Sequence, residues 1–246
     1  MRSRVEPQGC GKANPSILQC PMNASPLVVN SAARVALSWT QGARFLTTAS
    51  RVEQLPPPGL PEIAFVGRSN AGKSTAINIL AQQRRLAFAS KTPGRTQHIN
   101  LFQLGPQEQP DALWADLPGY GYAAVARGAK LRWQQVMADY LELRPSLAGI
   151  VMMVDSRHGF TALDRQLLEF VGPRVGTGEV KLLVLLTKAD KLNRTGQQSA
   201  LVAGQEALAA LATDESDIGV SLFSALNRSG VDDAAMALHE WIAARP

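Results

Sequence analysis

The run Gly67-Arg68-Ser69-Asn70-Ala71-Gly72-Lys73-Ser74 matches G-x-x-x-x-G-K-[ST], a spacing that binds phosphate. Glycines let the backbone turn tightly, so that successive amides at a helix N-terminus point at phosphate oxygens. Gly67 and Gly72 are expected to make that turn, Lys73 to set its ammonium against β and γ phosphates, and Ser74 to give its hydroxyl to Mg2+. A second group, Thr187-Lys188-Ala189-Asp190, closes the apolar run Leu182–Leu186. A carboxylate there can accept N–H bonds from both N1 and N2 of guanine, whereas adenine offers no matching donor pair. Lys188 is expected to lay its methylenes along the base.

Two weaker patterns join them. Asp116-Leu117-Pro118-Gly119 reads D-x-x-G, with Asp116 holding Mg2+ through a water and Gly119 presenting its N–H to the γ-phosphate. The loop Lys91–Gln97 contains Thr96, a second hydroxyl for the metal, and Ser224-Ala225-Leu226 brings backbone amides to the base edge. Taken singly, Asp190 also reads as a helix cap and Thr96 as an ordinary loop threonine.

The elements that must hold these groups alternate. Strands are expected at 62–66, 99–104, 112–117, 147–154, 181–187 and 219–224, and helices at 73–83, 127–143, 163–171, 197–211 and 232–244. Strands separated by helices require right-handed crossovers, hence an α/β fold with a largely parallel sheet covered on both faces. Ligands gather at the carboxyl ends of such strands, where the motifs fall. Asp155, Arg157, His158 and Asp164 read first as capping and turn residues, and Trp133 and Trp241 as core on helical apolar stripes.

Composition sets the outer limits. The chain has 246 residues, 46% apolar and 18% charged, enough for one sizeable core. Its apolar runs are strand-sized, well short of the roughly 20 residues needed to span a bilayer. Cys10 and Cys20 are the only cysteines, which suits a reducing cytosol. Residues 1–60 hold six basic and two acidic side chains, so most of the net +5 lies outside the alternating body. Within the body, Arg84, Arg85, Lys91 and Arg95 form a basic cluster with no acid between Glu62 and Glu108, a face that favours RNA.

The first 25 residues read as coil and lack the apolar core of a secretory signal. A basic transit peptide, a disordered tail and a start codon placed upstream of Met22 all fit residues 1–21. The proline cluster 55–61 then reads as a stiff linker.

Taken in order, Glu62–Ser74, Thr92–Gln97, Asp116–Tyr122 and Thr187–Asp190 resemble the EngB family of bacterial ribosome-assembly GTPases, within the TrmE-Era-EngA-like P-loop GTPases. The resemblance covers residues 43–246, leaving 1–42 as an extension expected to be disordered. It implies nucleotide contacts at Gly67, Arg68, Ser69, Asn70, Ala71, Gly72, Lys73, Ser74 and Thr75, and at Gly94, Arg95, Thr96, Gln97 and His98. It implies more at Asp116, Leu117, Pro118, Gly119, Thr187, Lys188, Ala189, Asp190, Phe223, Ser224 and Ala225. Lys73, Thr96 and Gly119 would serve catalysis, and Ser74, Thr96 and Asp116 the Mg2+. It further implies GTP hydrolysis by a cytoplasmic monomer during maturation of the large ribosomal subunit, with rRNA and ribosomal protein as partners, no membrane, and a link to division and septation. Asn70 resembles an asparagine that binds a stimulating K+, and reads otherwise as a turn residue. Tyr120 stands where many small GTPases carry a water-orienting glutamine, which predicts slow intrinsic hydrolysis. An ATP-using phosphotransferase and a nucleotide-stabilised binding module are the competing readings; Asp190 opposes the first and Tyr120 sustains the second.

Overall fold

The computed structural model describes residues 17–18, 26–87, 98–121 and 127–243, with side chains from 31 onward except 127–134. Eight strands form one sheet: β1 (Ile17–Leu18), β2 (Arg44–Ala49), β3 (Glu62–Gly67), β4 (Ile99–Leu104), β5 (Ala112–Asp116), β6 (Leu147–Asp155), β7 (Lys181–Thr187) and β8 (Ile218–Leu222). Their order is β1-β8-β7-β6-β3-β5-β4-β2. The helices are α1 (Pro26–Gln41), α2 (Lys73–Leu80), α3 (Arg127–Leu143), α4 (Ala162–Gly176), α5 (Arg194–Ala209) and α6 (Val231–Ala243).

From β1 to β5 every neighbouring pair is parallel, the product of helical crossovers. The sequence places no helix between β4 and β5, and they form an antiparallel hairpin, to which β2 adds antiparallel at the open edge. The sheet is therefore mostly parallel, with a reversed margin.

Every residue of β3 is buried, yet its side chains still sort with period two. Ala64 and Val66 join a cluster with Tyr140, Leu167, Val171 and Leu208 from α3, α4 and α5. Ile63 and Phe65 join the opposite one, with Trp39, Ile77, Leu80 and Leu238 from α1, α2 and α6. Trp241 lies in this second core; the side chain of Trp133 lies outside the described residues.

The largest departure from expectation is α1. It falls in the stretch 1–42 read as a disordered extension, yet it packs along α6 and buries Ala36, Trp39 and Thr40. Trp39 meets Trp114 edge-on at 6.3 Å and donates its indole N–H to Asp111 at 2.8 Å. Serine, threonine and asparagine weaken its intrinsic helicity, and no acidic or basic residue caps its ends. Its apolar stripe supplies the stability by burial, about 1.5–3 kcal/mol for each large side chain. The boundary at 42/43 thus separates two elements of one body.

Smaller shifts matter at the site. α2 stops at Leu80, where Gln82 turns left-handed at φ 51. β8 stops at Leu222, which leaves Ser224 in a loop.

Candidate nucleotide-binding site

The parallel pairing of β3, β5, β6, β7 and β8 brings the turns after all five strands to one edge. After β3, the turn is made by Asn70 at φ 67 and Gly72 at φ 98. Asparagine tolerates the left-handed region better than most residues. Gly67 does not make the turn expected of it. A Cβ there would come 2.9 Å from the Met153 carbonyl, so glycine is needed for the close approach of β3 to β6.

The amides of Asn70, Gly72, Lys73 and Ser74 have no partner among the described residues, and α2 has no side-chain cap. Ala71 is turned out of this row, donating to the Arg68 carbonyl at 3.0 Å. Unsatisfied amides at the positive end of a helix form a seat for an anion. Thr187 braces the seat by donating its hydroxyl to the Ala71 carbonyl at 2.6 Å. Thr75, on the first turn of α2, is exposed.

Lys73 is 7% exposed and donates its ammonium to Oδ1 of Asp116, itself 1% exposed. The second oxygen of Asp116 is buried without a partner, and the Ser74 hydroxyl has none among the described residues. One hydroxyl and one free carboxylate oxygen are hard donors that suit Mg2+, which keeps several waters. Leu117 and Pro118 follow, both buried, and Gly119 lies against Ser69. Gly94, Arg95, Thr96 and Gln97 lie outside the described residues, as do Lys91 and Thr92. His98 stands exposed at the head of β4, its Nδ1 3.0 Å from the Ser50 hydroxyl. Among the described residues no cluster of three or more His, Cys, Asp or Glu side chains could hold a metal without phosphate.

The side of the edge expected to meet the base is built from two loops. Ser224, fully buried, donates its hydroxyl to Asp190 Oδ1 at 2.6 Å, and Lys191 approaches the other oxygen at 3.4 Å. The Ser224 hydrogen bond holds the Asp190 carboxyl below the usual carboxylate range, so it is ionised and purely an acceptor at neutral pH. The Ser224 oxygen also accepts from the Leu226 amide at 3.2 Å, leaving the Ala225 amide without a partner among the described residues. Phe223 accepts from the Ala189 amide at 3.2 Å and so ties the loops together. Thr75, Lys188, Asp190, Phe223 and Ala225 line a cavity of about 410 Å3 between them and α2.

Asp155 is the turn residue expected, accepting from the Arg157 amide at 3.1 Å, but its contact with Lys188 was not foreseen. Lys188 is left-handed at φ 58 and reaches back across the seat, donating to the Asn70 carbonyl at 2.7 Å and to Asp155 at 2.8 Å. Asp155 also takes two bonds from the Arg157 guanidinium. Burial pushes its carboxyl up, but the Arg157 and Lys188 bonds prevail and hold it far below the usual range. The available signal was its place at the end of β6, in register with Thr187 of β7. Asp164 does cap, as the third helical residue of α4.

A row of partnerless amides at a helix N-terminus and an ionised carboxylate on the same edge of a mostly parallel sheet are the arrangement of a P-loop GTPase. Residues 62–188 match the family model described as a 50S ribosome-binding GTPase. The chain is 58% identical over 207 residues to the probable GTP-binding protein EngB of Albidiferax ferrireducens, spanning 84% of this chain and 96% of that one. It is 52% identical over 202 residues to the EngB of Burkholderia pseudomallei, spanning 81% and 90%. A crystal structure of a probable GTP-binding protein engB shares the fold at a TM-score of 0.58 and 20% identity, over 75% of this chain and all of that one. The chain belongs to the EngB family of GTP-binding proteins. No helix among the described residues is long and apolar enough to cross a membrane.

Proposed function

We propose that this GTPase is a Mg2+-dependent switch on the precursor of the large ribosomal subunit, contacting rRNA and ribosomal protein as a cytoplasmic monomer, and that division and septation depend on it. The observation that carries the switch is the buried Lys73–Asp116 pair. An arriving triphosphate competes for Lys73 and frees Asp116 for the metal, so occupancy of the cradle is felt at the end of β5. Ser74, Asp116 and Thr96 would hold Mg2+, whose charge would offset that of the phosphates. Asp190 and the Ala225 amide read guanine.

The ribosomal partner is supported by the description of the matching family model and by charge. Arg84 and Arg85 are exposed and make no ion pair among the described residues. They stand a few residues ahead of Lys91 and Arg95 in the sequence. Co-sedimentation with large-subunit precursor particles is expected to be strong with a non-hydrolysable GTP analogue, weak with GDP, and to fall steeply as salt rises. Equal pelleting in both nucleotide states would refute the switch, and none in either would refute the partner.

Slow unassisted turnover follows from Tyr120, whose ring is packed into the core and whose hydroxyl is engaged by Asp164, leaving no group to orient the attacking water. A K+ ion beside Asn70 would add positive charge at the phosphates, and turnover is then expected to be several-fold faster in K+ than in Na+. Identical rates in the two salts, with and without particles, remove the ion from the account.

A further inference from the structure

Tyr120 follows Gly119 directly, and the structure gives it three attachments. Its amide donates to the Gly67 carbonyl at 3.3 Å and its carbonyl accepts from the Ser69 amide at 2.9 Å. These bonds extend the parallel pairing of β3 and β5 by one bridge, from Arg68 to Tyr120, and lay Gly119 against Ser69. The third attachment is the side chain. The ring is 8% exposed, and its hydroxyl donates at 2.7 Å to Oδ1 of Asp164. Asp164 is 1% exposed, and its other oxygen accepts from the Thr161 amide at 2.8 Å and the Thr161 hydroxyl at 2.6 Å. Both carboxylate oxygens are therefore engaged, one by the cap of α4 and one by Tyr120.

We infer that the Tyr120 hydroxyl, anchored on Asp164, is a positioning group that sets the Gly119 amide for the γ-phosphate and thereby discriminates triphosphate from diphosphate. The inference rests on the reading of this edge as a GTP site. Its physical basis is preorganisation. Gly119 has no side chain of its own to hold it, so its amide direction is fixed by the residues on either side. Asp116 is the end of a buried strand on one side; Tyr120, pinned at backbone and hydroxyl, is the anchor on the other. Without the hydroxyl bond the backbone pairing must hold the turn alone, and the amide must be ordered when the γ-phosphate arrives. A diphosphate makes no demand on this amide and is indifferent to the loss.

The test compares Tyr120→Phe and Asp164→Asn with the unaltered chain, using fluorescent GDP and a fluorescent non-hydrolysable GTP analogue with Mg2+, and following thermal unfolding in parallel. Tyr120→Phe keeps the ring in the core and removes only the hydroxyl. It is expected to weaken the analogue about tenfold while GDP affinity changes less than twofold. Asp164→Asn must turn its NH2 toward either Tyr120 or the two Thr161 donors, so it disturbs the anchor without altering Tyr120 and is expected to shift the affinity ratio the same way by a smaller factor, which keeps the test decisive if Tyr120→Phe folds poorly. Equal weakening of both nucleotides, or a lowered unfolding temperature with an unchanged affinity ratio, would reduce the contact to an ordinary core hydrogen bond and overturn the inference. Failure of the unaltered chain to bind either nucleotide would overturn the GTP-site reading instead.

Discussion

Asp190→Asn is expected to lower GTP affinity by about a hundred- to a thousandfold and to raise affinity for xanthosine triphosphate correspondingly. In the proposed site the carboxylate receives both guanine donors, and hydrogen bonds to a charged group contribute roughly 1.5–3 kcal/mol each. An amide in its place still accepts from N1 but sets its own NH2 against the NH2 of guanine. Xanthine carries an oxygen at that position, so the mismatch becomes a hydrogen bond. The loop should survive the change, because the Ser224 hydroxyl that donates to Asp190 can donate equally to an amide oxygen. Calorimetric titration with GTP, xanthosine triphosphate and ATP measures all three affinities. Undiminished GTP binding by the variant would mean that Asp190 does not read the base.

The second large effect lies at the opposite end of β3. Glu62 has no exposure, and Arg144 reaches it with two hydrogen bonds to Oε1, at 3.0 and 2.7 Å, while Tyr140 and Ser146 donate to the same carboxylate. Arg144 also donates to the Pro56 carbonyl at 2.8 Å, clasping the proline-rich linker to the end of α3. Burial alone would lower the Arg144 pKa, but the Glu62 hydrogen bond and charge raise it. Arg144→Met leaves Glu62 buried and uncompensated, at a cost of about 3–5 kcal/mol. For a chain of this size that is a fall in unfolding temperature of roughly 6–20 °C. Replacing both residues, Arg144→Met with Glu62→Met, removes the stranded charge and should be less damaging than the single change. Differential scanning calorimetry of the two variants decides; a single variant that unfolds with the unaltered chain would show that the cluster is structurally idle.

These two sites differ in how far the sequence reveals them. The place of Asp190 was legible because its neighbours are local: an apolar strand delivers it to the sheet edge, and T-K-x-D sets it within four residues of that strand's end. Glu62 and Arg144 are 82 residues apart, and no local pattern announces that one strand start meets one helix end. The same holds for α1, whose sequence is a poor autonomous helix and becomes one by lying on α6. Asp155 and Lys188 tell the same story, since their contact depends on two parallel strands running in register. Tyr120 shows in the sequence only as a residue standing where many small GTPases carry a glutamine. What it does instead depends on Asp164, 44 residues away.

By itself, the sequence determined the alternation of strands and helices, the α/β class, and which motifs stand at the strand ends, because backbone propensity, hydrophobic period and motif spacing all act within a few residues. Tertiary structure alone decided which turn residue adopts the left-handed form, why Gly67 must be glycine, how the sheet margin reverses, and which buried charges meet. Those outcomes follow from burial and close approach between segments distant in the chain, where an unpaired charge or a single extra Cβ determines which arrangement is possible.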